Sequence, residues 1–129
     1  MKKNKNAFTL VEVMIVVAIV ALLAAIAIPN LVRARVTANE ANAQGTLKLI
    51  SNALENYAAT NSKYPNSTSL LIGITPPYLA TDYFSGIHFG YTYVPGITDY
   101  IYSVTAIPTS SNTGTASFTI STGGILKKN

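Results

Sequence analysis

Few residues in this chain are able to do chemistry. It has one histidine, His88, no cysteine, and five carboxylates, Glu12, Glu40, Glu55, Asp82 and Asp99, scattered over 129 residues. Acid–base or nucleophilic catalysis needs two or three such groups converging on one reacting atom. No triad, dyad or phosphate-binding glycine loop is spelled here, so the pattern points away from an enzyme. His88 sits in an expected strand and reads as a structural or exposed histidine. Asp82 and Asp99 are two acids without the fixed loop of a calcium site, and no metal or cofactor is expected. Without cysteine there is neither a disulfide framework nor a thiolate metal site.

Glu12 is the exception. It stands inside the apolar stretch NAFTLVEVMIVVAIVALLAAIAIPN, Asn6 to Asn30. An ionised carboxylate at membrane depth costs roughly 2.5 to 3.5 kcal/mol, so it calls for a cationic partner. No Lys or Arg lies within a helical turn, and Arg33 and Arg35 are about 30 Å farther along a helix. A chain cut before Phe8 would supply an α-amino group at the right depth, on its own chain or on a neighbour's.

The element that positions Glu12 is a membrane-length helix. Val13 to Ile28 is uninterrupted in its apolarity, and adding Phe8 to Val11 gives the roughly twenty residues a spanning helix needs. Lys2, Lys3 and Lys5 precede it and predict a cytoplasmic amino end. They also account for most of the net charge of +4: without them, six Lys/Arg face five Asp/Glu, and nothing resembles a nucleic-acid footprint. Ala25-Ile26-Ala27 has the small-x-small spacing of a leader peptidase site, so a secreted binding module released there is an alternative. The length of the run, Pro29 directly after it, and a helical pattern that continues all favour a retained anchor.

Beyond Pro29, which is expected to kink the helix without ending it, Leu47, Ile50, Leu54 and Tyr57 recur at helical spacing and define one apolar face for head packing. Glu40, Lys48 and Glu55 read as its solvated side, and Gly45 as a weak point. Asn61-Ser62 and Tyr64-Pro65 are stop signals, and Asn66 to Pro77 reads as a loop. Asn66-Ser67-Thr68 is a glycan sequon by spelling only. Strands are expected over Ile87 to Val94 and Tyr100 to Ala106, with Pro95-Gly96 as the turn. Two more, Ala116 to Ser121 and Ile125 to Lys127, flank Thr122-Gly123-Gly124. Phe89, Tyr91 and Tyr93 should stack across the hairpin on Tyr100 and Tyr102. The fold class is α+β: a long N-terminal helix, half anchor and half amphipathic, packed against a small antiparallel sheet.

The segment KNAFTLVEVMIVVAIVALLAAIAIPNLVRAR resembles the signal and N-terminal helix of type IV pilins and the related type II secretion pseudopilins, over about residues 2 to 60. The resemblance implies a leader of 1–7, a transmembrane and filament-core helix of 8–30, and a head of 31–129 with helix 31–61, loop 62–86 and sheet 87–129. It implies cleavage between Ala7 and Phe8 by a membrane prepilin peptidase, N-methylation of Phe8, and pairing of Glu12 with a neighbouring subunit's Phe8 amine. Pro29 matches the family's proline. The partners it implies are copies of the same chain in a helical filament, the bacterial inner membrane before assembly, and an assembly machinery driven by a separate ATPase. The expected function is a structural subunit of a cell-surface type IV pilus, with a type II secretion pseudopilin as the alternative. Adhesion, motility, DNA uptake and electron transfer are all compatible with it. The chain departs from the family in carrying Ala7 where Gly is usual and Ala21 in place of an anchor glycine. It also lacks both the terminal cysteine pair and the clustered acids of the secretion pseudopilin's calcium site.

Overall fold

A computed structural model describes residues 7–129; the expectations placed on Lys2, Lys3 and Lys5 and on the rest of the leader lie outside the described residues. Helix α1 runs Leu10–Asn61 with Pro29 inside it. A one-turn helix α2, Ser69–Ile72, interrupts the expected loop. Strands β1 (Tyr91–Ile97), β2 (Tyr102–Pro108), β3 (Phe118–Ser121) and β4 (Ile125–Lys128) form one antiparallel sheet in the order β1-β2-β3-β4.

The chain divides into two compact units, Met1–Ala34 and Arg35–Asn129. In the first, the side chains of α1 from Leu10 through Leu31 are, apart from Glu12 and Asn30, apolar all round and almost entirely exposed. This part of α1 is long and apolar enough to cross a membrane, and none of its most apolar window is buried. A helix without a polar face cannot be covered by one neighbouring layer and needs an apolar surrounding.

In the second unit the apolar residues of α1 fall on one stripe. Ala43, Leu47, Ile50, Ala53 and Leu54 are buried, and Tyr57 is half-buried against the same cluster. The sheet supplies the other half of the core by strict alternation: Tyr91 and Tyr93 from β1, Tyr102, Val104 and Ala106 from β2, Phe118 and Ile120 from β3. Burying a large apolar side chain contributes about 1.5 to 3 kcal/mol, so each member of this core is a sizeable part of the small net stability left after chain entropy is opposed. α1 stops where Ser62 takes a left-handed φ of 61°, its N–H bonding Ala58 O at 2.8 Å.

The hairpin differs from the sequence expectation. Pro95 and Gly96 do not turn the chain: they lie within β1, opposite Val104 and Ser103. β1 is an edge strand, where a residue without an N–H is tolerated. The reversal falls at Thr98–Ile101 instead, closed by Thr98 N–H to Ile101 O at 2.8 Å and by Ile101 N–H to Thr98 Oγ1 at 3.2 Å. The start of β1 shifts too. His88 and Tyr91 exchange backbone hydrogen bonds of 2.9 and 3.0 Å around Phe89 and Gly90, with φ of 51° and 78°. A left-handed phenylalanine costs about 1 to 3 kcal/mol.

With the register moved, the aromatics do not stack across the hairpin. Tyr91 faces Pro108, Tyr93 faces Ala106 and Tyr102 faces Ile97, while Tyr100 is exposed in the turn. Their ring partners come from elsewhere: Phe118 for Tyr91, Tyr83 for Tyr93 and Tyr64 for Tyr102. The expected turn at Thr122-Gly123-Gly124 is present, with both glycines at positive φ.

Candidate assembly site

The site is built around the amino end of α1. Phe8 is the most exposed large apolar residue described, at 86%. Thr9 precedes the helix, and Glu12 lies in its first turn, where the helix dipole favours a negative charge. The two side chains close on each other. Thr9 N–H and Thr9 Oγ1–H both donate to Glu12 Oε2 at 2.8 Å, and Glu12 N–H donates to Thr9 Oγ1 at 3.2 Å. This is a capping box: the threonine satisfies an orphan N–H of the first turn while the glutamate reaches back to the threonine's own.

The cap keeps Glu12 ordered and hydrogen-bonded without neutralising it. Its carboxylate bonds run through Oε2, so a group with about four acceptor positions retains capacity for a cation. The Thr-x-x-Glu spacing of the cap is legible in TLVE, yet Thr9 escapes a reading that looks only for a cation. Ala7 and Phe8, on either side of the expected cleavage, are exposed, as is Pro29.

Two further carboxylates tie α1 to the sheet's loops. Glu40 Oε1 accepts from Thr115 N–H at 3.0 Å and Thr115 Oγ1 at 2.8 Å, and these bonds, the backbone one foremost, hold its carboxyl below the usual range. Glu55 Oε1 accepts from Tyr64 and Tyr102 hydroxyls at 3.2 and 3.1 Å and from Gly123 N–H at 3.0 Å. Both were expected on a solvated face and are instead half-buried acceptors for distant donors. Burial first, and Glu55 second, push the Tyr64 hydroxyl up to about 12. Burial is also the main cause raising Tyr102, whose hydroxyl bonds Ser51 Oγ at 2.7 Å.

The remaining candidates do not converge. Asp82 accepts from Phe84 N–H within its own loop, and Asp99 meets Lys63 at 3.9 Å. His88 contacts Ser85 O at 3.0 Å and stacks edge-on with Tyr83. Among the described residues no three His, Cys, Asp or Glu side chains gather. A groove of about 280 Å³ opens between α1 at Leu49, Asn52, Ala53 and Asn56 and the segment Tyr78 to Tyr83.

A family model described as a prokaryotic N-terminal methylation motif matches residues 2–28. The chain is 39% identical over 72 residues to the type IV wide pilus major component PilA4 of Thermus thermophilus, covering 56% of this chain and 55% of that one. It is 35% identical over 66 residues to type II secretion system core protein G of Aeromonas hydrophila, covering 51% and 46%. Against the Escherichia coli core protein G it is 34% identical over 84 residues, 62% and 58% of the two chains. The motif and these likenesses support the type IV pilin and pseudopilin family for this chain. The matches span about half the length of these curated relatives. The capping box at Thr9 and Glu12 falls inside the matched motif.

Proposed function

We propose that the chain is the subunit of a type IV pilus, processed between Ala7 and Phe8, N-methylated on Phe8, and assembled by packing its 8–30 helix against those of other copies. The observation that carries this reading is the pairing of a wholly exposed apolar helix surface with one self-capped carboxylate, Glu12. In the isolated subunit Thr9 occupies Glu12. In the filament Glu12 accepts a neighbour's Phe8 ammonium, a charge-assisted bond about twice as strong as a neutral one. Once the helix has left the membrane, the packed apolar side chains supply cohesion at roughly 25 cal/mol per Å² kept from water. The charge pair selects one register among many of similar apolar area. Contact of this kind is heterologous, so the array stays open and grows.

Before assembly the same helix lies in the inner membrane with Lys2, Lys3 and Lys5 on the cytoplasmic side. Head 31–129 then stands on the far side. Prepilin peptidase and an assembly machinery with its own ATPase are the expected partners.

Glu12→Val tests the pairing. Processed subunit should accumulate in the membrane by immunoblot while filaments are absent by electron microscopy. Abundant normal filaments would reject the role assigned to Glu12, and accumulated precursor would move that role to peptidase recognition. A type II secretion pseudopilin is the second reading, supported by the likeness to core protein G of Aeromonas hydrophila and Escherichia coli. Long surface filaments favour the pilus, and short periplasmic ones the pseudopilus. The lack of a clustered acidic set among the described residues supports the pilus.

A further inference from the structure

The chain carries nine Lys and Arg side chains, and only two of them, Arg33 and Arg35, are arginines. Both stand directly after the exposed apolar stretch of α1, and both are exposed. From Glu12 to Arg33 the helix climbs about 32 Å, close to the roughly 30 Å of a bilayer's hydrocarbon layer. With Glu12 at one boundary of that layer, the two arginines fall among the headgroups of the other. No acidic residue lies within a helical turn of either, so the helix itself supplies no adjacent counter-charge. Residues two apart on a helix point to different sides, so the pair does not make a single pocket. The choice of residue carries the rest of the argument. A lysine provides a strongly hydrated point charge, whereas the guanidinium is weakly hydrated and offers a planar fork of N–H donors that matches two oxygens of a phosphate. Confining arginine to this boundary points to phosphate as the partner there, and not to positive charge alone.

We propose that Arg33 and Arg35 each bind the phosphodiester of a phospholipid in the non-cytoplasmic leaflet while the subunit waits in the membrane. This inference rests on the filament-subunit reading, in which the 8–30 helix lies in the membrane before assembly. Each guanidinium donates to two oxygens of a separate headgroup, on different sides of α1, with its apolar stem laid along the helix. The two contacts fix the depth of the span. A slip toward the cytoplasm would pull a guanidinium into hydrocarbon, and the opposite slip would lift Ile28 and Leu31 into water. Phe8 and Glu12 are thereby held at the other boundary until the subunit is withdrawn. Phosphatidylglycerol is the preferred lipid, because its headgroup has no ammonium of its own to compete for the phosphate.

The test uses the full-length chain in phosphatidylglycerol vesicles with arginine as the sole isotope-labelled residue, so every guanidinium signal comes from position 33 or 35. In solid-state NMR, recoupling to lipid phosphorus should remove most of the guanidinium carbon intensity. Arg33→Lys leaves Arg35 as the one labelled side chain, and Arg35→Lys leaves Arg33. Each remaining signal should be attenuated as in the parent. Guanidinium signals that survive recoupling would overturn the contact, and attenuation at one position alone would overturn the two-sided arrangement. Surviving signals from a chain that stays in the membrane would remove this contact and leave the subunit reading standing. A chain released from the membrane with Ile28 at its amino end would bring down the subunit reading and this contact with it.

Discussion

Two stretches of α1 are both rich in apolar residues and end in opposite environments. From Leu10 to Leu31 every large apolar side chain is exposed, whereas Leu47, Ile50 and Leu54 are completely buried. The difference lies in the residues between them. Around Val13 to Ile28 no polar residue breaks the helix surface, so a single sheet could cover only part of it. Around Leu47 the neighbours are Lys48, Asn52 and Asn56, which leaves one stripe for one sheet. Apolar content therefore says that a segment needs cover, and its angular spread says whether the cover comes from inside or outside the chain. An exposed apolar area larger than a few hundred Å² signals an external partner.

The largest way to break this contrast is to give the exposed stretch no register: Glu12→Val should abolish filaments, read by electron microscopy, while leaving the head's thermal unfolding unchanged. Next comes the buried stripe. Leu54→Ala should destabilise the head by about 2 to 5 kcal/mol in chemical denaturation, enough to threaten a small domain. Leu22→Ala, in the exposed stretch, should leave that measurement where it was. A comparable loss from Leu22→Ala would mean that the anchor is packed within its own chain.

A smaller effect is expected from the polar ties. Glu55→Ala leaves the buried Tyr64 hydroxyl without its partner, at about 1 to 3 kcal/mol for an unsatisfied buried group, while Tyr102 keeps its bond to Ser51. Smaller again are the pH limbs. The folded head holds the Tyr64 proton up to about 12, whereas the unfolded chain releases it near 10, so the folded state binds more protons in that window. Stability should fall as pH rises from about 10 to about 12, and Tyr64→Phe should flatten the fall. Glu40 works in the opposite sense. Its lowered folded value contributes stability above the ordinary carboxylate range that is lost as the solution is acidified through that lower value. Glu40→Gln should flatten the acid limb of a thermal-unfolding profile.

What was legible in the sequence was local. The apolar run, the end of α1 at Asn61-Ser62 and the Gly123-Gly124 turn each depend on residues close together, and the long helix on a small antiparallel sheet followed from them. The hairpin turn was misplaced because Pro95-Gly96 is the strongest local turn signal, while its acceptance into β1 depends on that strand lying at the sheet edge. Glu40 and Glu55 passed for solvated residues because most of their donors are distant: Thr115 lies 75 positions from Glu40, and Tyr102 and Gly123 lie 47 and 68 from Glu55. Thr9 is the reverse case. Its spacing to Glu12 was visible, and the demand for a cation obscured a partner three residues off.

The order β1-β2-β3-β4 has a consequence for how the head comes into being. Each strand pairs with the one before it in sequence, so the sheet zips from short closures that form quickly. The slow closures are the returns to the helix: Thr115 to Glu40 and Gly123 to Glu55. The first hairpin can thus form early and meet α1 through the Tyr102 hydroxyl at Ser51 and Glu55, before the later strands add Thr115 to Glu40 and Gly123 to Glu55. A chain that stops before Gly123 would keep the Tyr64 and Tyr102 bonds to Glu55 and lose only the last donor to that carboxylate.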